Sequence, residues 1–103
     1  MLGNKVYADE ARVVLQTLMS TELAQAKQGE RIYLGHEMRE GWSGHLPFFF
    51  FHCTSCGEAS KDYPHGFSGR QYMLCAVCGK RHEYQPSLLD RLRNLTQQFT
   101  QTA

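Results

Sequence analysis

The residues best equipped for chemistry in this chain are four cysteines, arranged as Cys53-Thr-Ser-Cys56 and Cys75-Ala-Val-Cys78 with 18 residues between the pairs. Two C-x-x-C pairs separated by about 15 to 20 residues make the spacing of a structural zinc site. A two-residue gap lets one tight turn aim two thiolates at a single ion. Gly57 and Gly79, directly after the second cysteine of each pair, allow the backbone to turn back with its amides facing sulfur. Four thiolates close a tetrahedron and leave no position for water, so the predicted ion is structural, one zinc per chain, held by Cys53, Cys56, Cys75 and Cys78. Two rival readings exist. The N-terminus, MLGNKVYADEARVVL, lacks the basic stretch and apolar core of a secretory signal, so the expected location is the reducing cytoplasm, where the first rival, a pair of disulfides, is rare. The second rival is iron, because four thiolates also hold a single redox iron.

No other set of residues has catalytic spacing. The five histidines, His36, His45, His52, His65 and His82, are not placed with acidic residues as a helical metal or base motif requires. His52 precedes Cys53, but in a strand it points to the opposite face. There is no nucleophile turn, phosphate-cradling glycine loop or carboxylate pair with a pocket. The expectation is a protein that is not an enzyme and takes no small-molecule substrate. Binding residues are easier to nominate. Trp42, between Gly41 and Gly44, is placed to act as an aromatic interface anchor. The interval between the cysteine pairs and the segment after them carry Tyr63, His65, Phe67, Arg70, Tyr72, Lys80 and Arg81, and aromatics interleaved with cations could stack bases and contact phosphates. The candidate partner-binding residues are therefore Trp42, Phe67, Arg70, Tyr72, Lys80 and Arg81.

The elements that must position these residues follow from periodicity. From Asp9 to Gln28 apolar residues recur at helical spacing without Gly or Pro, which predicts one N-terminal helix over 9–28, opened by Asp9 and Glu10 and ended at Gly29. Ile32, Leu34, His36 and Met38 alternate with Arg31, Tyr33 and Glu37, the pattern of a short strand. Residues 39–45 read as an irregular connection. Pro47 to His52 read as a second strand, in which Phe48–Phe51 send alternate rings to opposite faces, one pair toward the metal hairpin and the other toward covering helices. Residues 46–84 form the metal-binding unit. Ser87 with Asp90 makes a capping box for a C-terminal helix over 87–99, whose stripe of Leu88, Leu89, Leu92, Leu95 and Phe99 needs a cover. The expected cover is the N-terminal helix face of Val14, Leu15, Leu18 and Met19.

Composition sets the frame. With 103 residues, 42% of them hydrophobic, the expectation is a single domain over 1–103. Eleven Lys and Arg against ten Asp and Glu give a formal charge of +1, which excludes the strongly basic balance behind sequence-independent nucleic-acid binding. The longest apolar run, Leu46 to Phe51, is interrupted by Pro47 and falls far short of the ~20 residues that cross a bilayer, so no membrane role is expected.

Cys53-x-x-Cys56-Gly57 and Cys75-x-x-Cys78-Gly79 resemble the paired knuckles of zinc-ribbon proteins over about residues 48–84, and more loosely those of rubredoxins. Rubredoxin-like proteins usually carry a proline in the second knuckle and a longer acidic interval, where this chain has Ala76 and an interval containing Lys61 and Arg70. The resemblance leaves both helices unexplained; taken with the periodicity, the expectation is a small α+β fold, a zinc-ribbon hairpin core flanked by an N-terminal and a C-terminal amphipathic helix. In many zinc ribbons the hairpin tip or knuckle face contacts nucleic acid, a polymerase or a ribosomal partner. The leading expectation is a non-enzymatic adaptor or accessory subunit that docks through aromatic and apolar surface onto a larger cytoplasmic protein assembly. The alternatives are a nucleic-acid-binding ribbon of the transcription or translation type and a rubredoxin-like electron carrier.

Overall fold

The computed structural model describes residues 5–66, 70–93 and 95. It is an α+β fold with helices α1 (Lys5–Thr17) and α2 (Ser20–Lys27), then strands β1 (Ile32–Glu37), β2 (Leu46–His52), β3 (Ala59–Asp62), β4 (Gln71–Leu74) and β5 (Arg81–Tyr84). A last helix, α3, covers residues 88–93, with residue 95 also helical. Strands β1, β2 and β3 form an antiparallel sheet in that order, and β4 pairs with β5 in a separate hairpin. Among the described residues no helix is long and apolar enough to cross a membrane.

Strand β2 explains why these parts assemble. Its four phenylalanines are all buried, and the two-residue period sends them alternately to two layers. Phe50 joins Ala11, Ala26 and Ile32 on the helical side, where Val14, Leu15 and Leu18 pack against it. Phe49 and Phe51 meet Met73 and Tyr84 of the β4–β5 hairpin on the other side. The three-stranded sheet is thus a middle layer between α1–α2 and the hairpin, as a strand of consecutive aromatics demands.

The expected 9–28 helix is two helices. Its first begins by Lys5, so Asp9 and Glu10 lie inside it, and the chain breaks at Leu18–Met19. Met19 is extended, with φ −72° and ψ 158°. Its amide donates to the Glu22 carboxylate at 3.0 Å, while its carbonyl accepts from the Leu23 amide at 2.9 Å. A local acceptor for an orphan amide restarts the helix where apolar periodicity alone runs straight through. The first strand ends at Glu37, before Met38, and pairs out of step between Tyr33 and Gly35.

The C-terminal helix starts as expected and faces the other way. The Ser87 amide donates to Asp90 Oδ2 at 3.0 Å and the Asp90 amide to Ser87 Oγ at 3.2 Å, a reciprocal cap. The same Asp90 carboxylate accepts from Arg31 at 2.6 Å and Arg93 at 3.2 Å, and the Arg93 guanidinium lies 4.0 Å above the Tyr33 ring. Asp90 and Arg93 therefore bind α3 to the body by its polar side. The leucines point away, with Leu88 74%, Leu89 55%, Leu92 52% and Leu95 51% exposed. Among the described residues the expected packing of this stripe on Val14, Leu15, Leu18 and Met19 is not seen: the first three serve the Phe50 core, and Met19 is exposed. Phe99 and the remainder of the expected 87–99 helix lie outside the described residues.

The pH response of this anchor has a definite sign. Burial alone would raise the Asp90 pKa, but the Ser87 amide and the Arg31 guanidinium outweigh it and hold the carboxyl below its ordinary value. A group with a depressed folded pKa stabilises above its unfolded pKa and loses that contribution as pH falls through the folded one. Between about pH 5 and pH 2, the melting temperature should therefore fall more steeply in the native chain than in Asp90→Asn. The difference between the two proteins isolates the carboxylate from acid losses common to both. Parallel curves would show that the anchor contributes no net stability.

Candidate metal centre

Each cysteine pair sits in the turn of a hairpin. In the first, between β2 and β3, the Cys53 amide donates to the Glu58 carbonyl at 3.0 Å and the Gly57 amide to the Cys53 carbonyl at 2.9 Å. In the second, between β4 and β5, Cys75 and Lys80 repeat the first bond at 2.9 Å, and Gly79 and Cys75 the second at 3.0 Å. Gly57 and Gly79 have φ of 77° and 80°, a left-handed conformation in which a side chain is strained. The two turns are thus the same device used twice. The amides facing sulfur come from inside the turns: Ser55 to Cys53 Sγ at 3.4 Å, and Val77 and Cys78 to Cys75 Sγ at 3.4 and 3.5 Å.

The hairpins bring the four sulfurs together so that all lie within 4.8 Å of one another. Two short approaches cross between knuckles, Cys53 to Cys78 at 3.6 Å and Cys56 to Cys75 at 3.7 Å. A disulfide needs about 2.05 Å, and all four cysteines are free. A metal–sulfur distance of about 2.3 Å in a regular tetrahedron separates sulfurs by about 3.8 Å, so the arrangement fits an ion bound by all four. The donor set is all sulfur, which suits zinc and iron alike.

Protonation explains why the cluster needs a cation. Burial opposes ionisation of Cys53, but the amides of Cys56 and Ser55, the His82 side chain and the Cys78 thiol bring its pKa down to about 6. For Cys56 the Glu58 amide favours the thiolate, yet burial and hydrogen bonds with the other three thiols push it up to about 12. Burial raises Cys75 as well. The Cys53 thiolate forms readily while Cys56 and Cys75 resist ionisation, and like charges this close repel unless a positive ion lies among them.

Ser60 and Asp62, both buried on β3, hold the second knuckle against the first. Ser60 Oγ accepts the Ala76 amide at 2.7 Å, and Asp62 Oδ2 accepts the Leu74 amide at 2.7 Å. Strand parity points both toward the hairpin, while Lys61 between them points toward the helices and pairs with Glu10 at 2.8 Å and Glu37 at 3.0 Å. Sequence reasoning missed this seam. Nothing in Ala59-Ser-Lys-Asp62 marks a buried face, and only the strand pairing shows that Ser60 and Asp62 face the hairpin. His82 has no distinguishing spacing in the sequence, yet its ring lies 5.2 Å from that of Phe51 and it helps to lower the Cys53 pKa. His52 lies on the other side of β2, its ring 5.7 Å from Phe50.

Three of the nominated binding residues, Trp42, Tyr72 and Arg81, fall into one row. Trp42 stacks on Phe48 at 5.9 Å and meets Tyr63 at 4.9 Å. Tyr63 lies 4.2 Å from His65, and His65 stacks on Tyr72 at 5.7 Å. Arg81 covers Tyr72 at 4.3 Å. Arg70 and Lys80 are exposed and stand one residue before β4 and β5. Phe67 lies outside the described residues. Tyr63 and His65, the links of the row, join it because residue 65 pairs with Tyr72 beside β4, a contact that sequence spacing does not reveal.

Replacing Ser60 with Ala should strand the Ala76 amide without touching a ligand. The expected cost is about 1–3 kcal/mol, seen as a lower midpoint in thermal denaturation with an unchanged metal-to-protein ratio. An unaltered midpoint would mean that the Ser60 bond does not hold the knuckles together. Comparison with family models, with characterised protein sequences and with solved structures finds no match for this chain.

Proposed function

We propose that this chain is a non-enzymatic zinc-ribbon module, in which one zinc ion on Cys53, Cys56, Cys75 and Cys78 fixes two hairpins and an apolar surface docks onto a larger cytoplasmic protein assembly. The observation that carries the docking reading is the orientation of α3. Its polar side is spent on Arg31 and Tyr33, so Leu88, Leu89, Leu92 and Leu95 form an outward apolar stripe of the kind that monomers seldom leave in water. A four-thiolate ligand set closes the metal site to water and substrate, which supports a structural role for the ion. Binding of structural zinc is worth roughly 10–16 kcal/mol in zinc-finger peptides, as much as the whole stability of many domains.

A nucleic-acid-binding ribbon is the second reading, favoured by the row that ends at Tyr72 and Arg81. Arg70, Lys80 and Arg81 have no ion-pair partner among the described residues, so their charge is available to phosphates.

Elemental analysis of purified protein should give one zinc per chain and a colourless solution. A red protein bleached by dithionite would instead make it an iron electron carrier. Cys56→Ser should lose the metal and the cooperative melting transition, because a hydroxyl is a poor zinc ligand. Retention of both would overturn the structural role.

Tagged chain recovered from its host should bring down a fixed set of proteins, resistant to nuclease and lost when Leu88 and Leu92 are changed to Ser. Release by nuclease, a steep fall of oligonucleotide binding with salt, and loss of that binding in Lys80→Glu with Arg81→Glu would replace docking by the nucleic-acid reading.

A further inference from the structure

We propose that Cys56 is an oxidation site, at which hydrogen peroxide converts the zinc-loaded chain into a zinc-free form closed by a Cys56–Cys75 disulfide; the inference rests on the zinc reading above and names a regulation of the same centre. The two knuckles share one backbone design but not one environment. Residues 54–58 of the first are all exposed. In the second, Ala76 is buried with its amide on Ser60 Oγ, and Cys78 and Gly79 are half-buried. The four ligands are therefore unequal. Cys53 and Cys75 are 2% and 0% exposed, Cys78 is intermediate, and Cys56 alone of the four is exposed.

Exposure decides which sulfur an oxidant reaches, and hydrogen bonds decide how free its electrons are. The Cys53 sulfur accepts from the amides of Ser55 and Cys56, and the Cys75 sulfur from those of Val77 and Cys78. Backbone support for Cys56 comes from the Glu58 amide. A metal-bound cysteine is held as the thiolate, the form that reacts with peroxides. The thiolate that faces solvent with the lighter hydrogen bonding is the first to meet a small oxidant.

A second sulfur is at hand. Cys75 Sγ lies 3.7 Å from Cys56 Sγ, against about 2.05 Å in a disulfide. The peroxide O–O bond breaks as one oxygen joins Cys56 as a sulfenic acid and the other leaves as hydroxide. Cys75 then attacks the Cys56 sulfur, the S–S bond forms, and the S–O bond breaks with loss of a second hydroxide. Two thiolates together lose two electrons, and with two protons from solvent the peroxide is reduced to two waters. Cys53 and Cys78 are left as donors, too few for a four-coordinate structural zinc. In a reducing compartment such a disulfide is transient and thiols reverse it.

The full-length chain, shown by elemental analysis to carry one zinc, should release one zinc and lose two free thiols per hydrogen peroxide consumed, followed with a zinc-binding dye and a thiol assay. Dimedone, which captures sulfenic acids, should label Cys56, and tandem mass spectrometry should place the disulfide between Cys56 and Cys75. Dithiothreitol with added zinc should then restore the metal content and the melting temperature. First labelling at Cys53, Cys75 or Cys78, a disulfide between any other pair, or zinc retained after Cys56 is oxidised would overturn the proposal and leave the zinc reading standing. A chain without zinc before peroxide is added would overturn both.

Discussion

Four sulfurs within 4.8 Å of one another cannot all ionise without an intervening cation, and the fold is organised around bringing them to that distance from two separate hairpins. Neither hairpin could do it alone. Each C-x-x-C turn presents two sulfurs, and the second pair has to be held opposite the first by something other than the ion. That role falls to the hairpin-facing side of the three-stranded sheet, where Phe49 and Phe51 supply apolar area and Ser60 and Asp62 supply acceptors for otherwise unpaired amides. The apolar contacts are nondirectional and set how near the layers come. The two hydrogen bonds are directional and set the register, since a buried amide without a partner costs far more than a satisfied one contributes.

The parts of this plan that were legible in the sequence are those governed by short fixed periods. The cysteine spacing, the glycines after each knuckle and the Ser87–Asp90 cap depend on residues within a few positions, and each takes the predicted geometry. The run Phe48–Phe51 was equally plain, because a strand leaves consecutive aromatics no option but opposite faces. What escaped the sequence depends on partners far along the chain. Nothing local shows that Ser60 faces in, that Lys61 meets Glu10 across 51 positions, or that Tyr63 and His65 link Trp42 to Tyr72. The helix break at Met19 was hidden for the opposite reason: the apolar period continues across it, while the amide bonded to Glu22 changes the chain direction without disturbing the pattern.

The reversal of α3 shows how periodicity can identify an element and still mislead about its orientation. A leucine stripe argues for burial by solvent exclusion alone. Here the competing force is electrostatic and better aimed: one carboxylate, Asp90, receives the Ser87 amide and two guanidiniums, and such charge-assisted bonds lose strength steeply with distance and misalignment. Turning the leucines inward would break the Asp90–Arg31 bond and lift Arg93 off the Tyr33 ring. The helical core, meanwhile, is already filled by Ala11, Ala26, Ile32 and Phe50 with Val14, Leu15 and Leu18 around them, so the site expected to receive the stripe is taken.

The formal charge of +1 conceals a partition that bears on recognition. Arg12, Arg31, Arg39, Lys61 and Arg93 are neutralised by Asp9, Glu10, Glu37 and Asp90 within the fold. Three of the cations that remain, Arg70, Lys80 and Arg81, lie on or beside the β4–β5 hairpin, at one end of the aromatic row. At the other end Trp42 and Tyr63 line a cleft with no Asp, Glu, Lys or Arg among its described lining residues. The row is therefore continuous in its rings and divided in its electrostatics. Because desolvation penalises charged groups far more than rings, a ligand that covers the Trp42 end displaces water at little cost, whereas one that covers the Arg81 end must bring its own negative charge. The two ends of a single surface thus select by different physics, and the ion pairs that stabilise the fold are what keep them distinct.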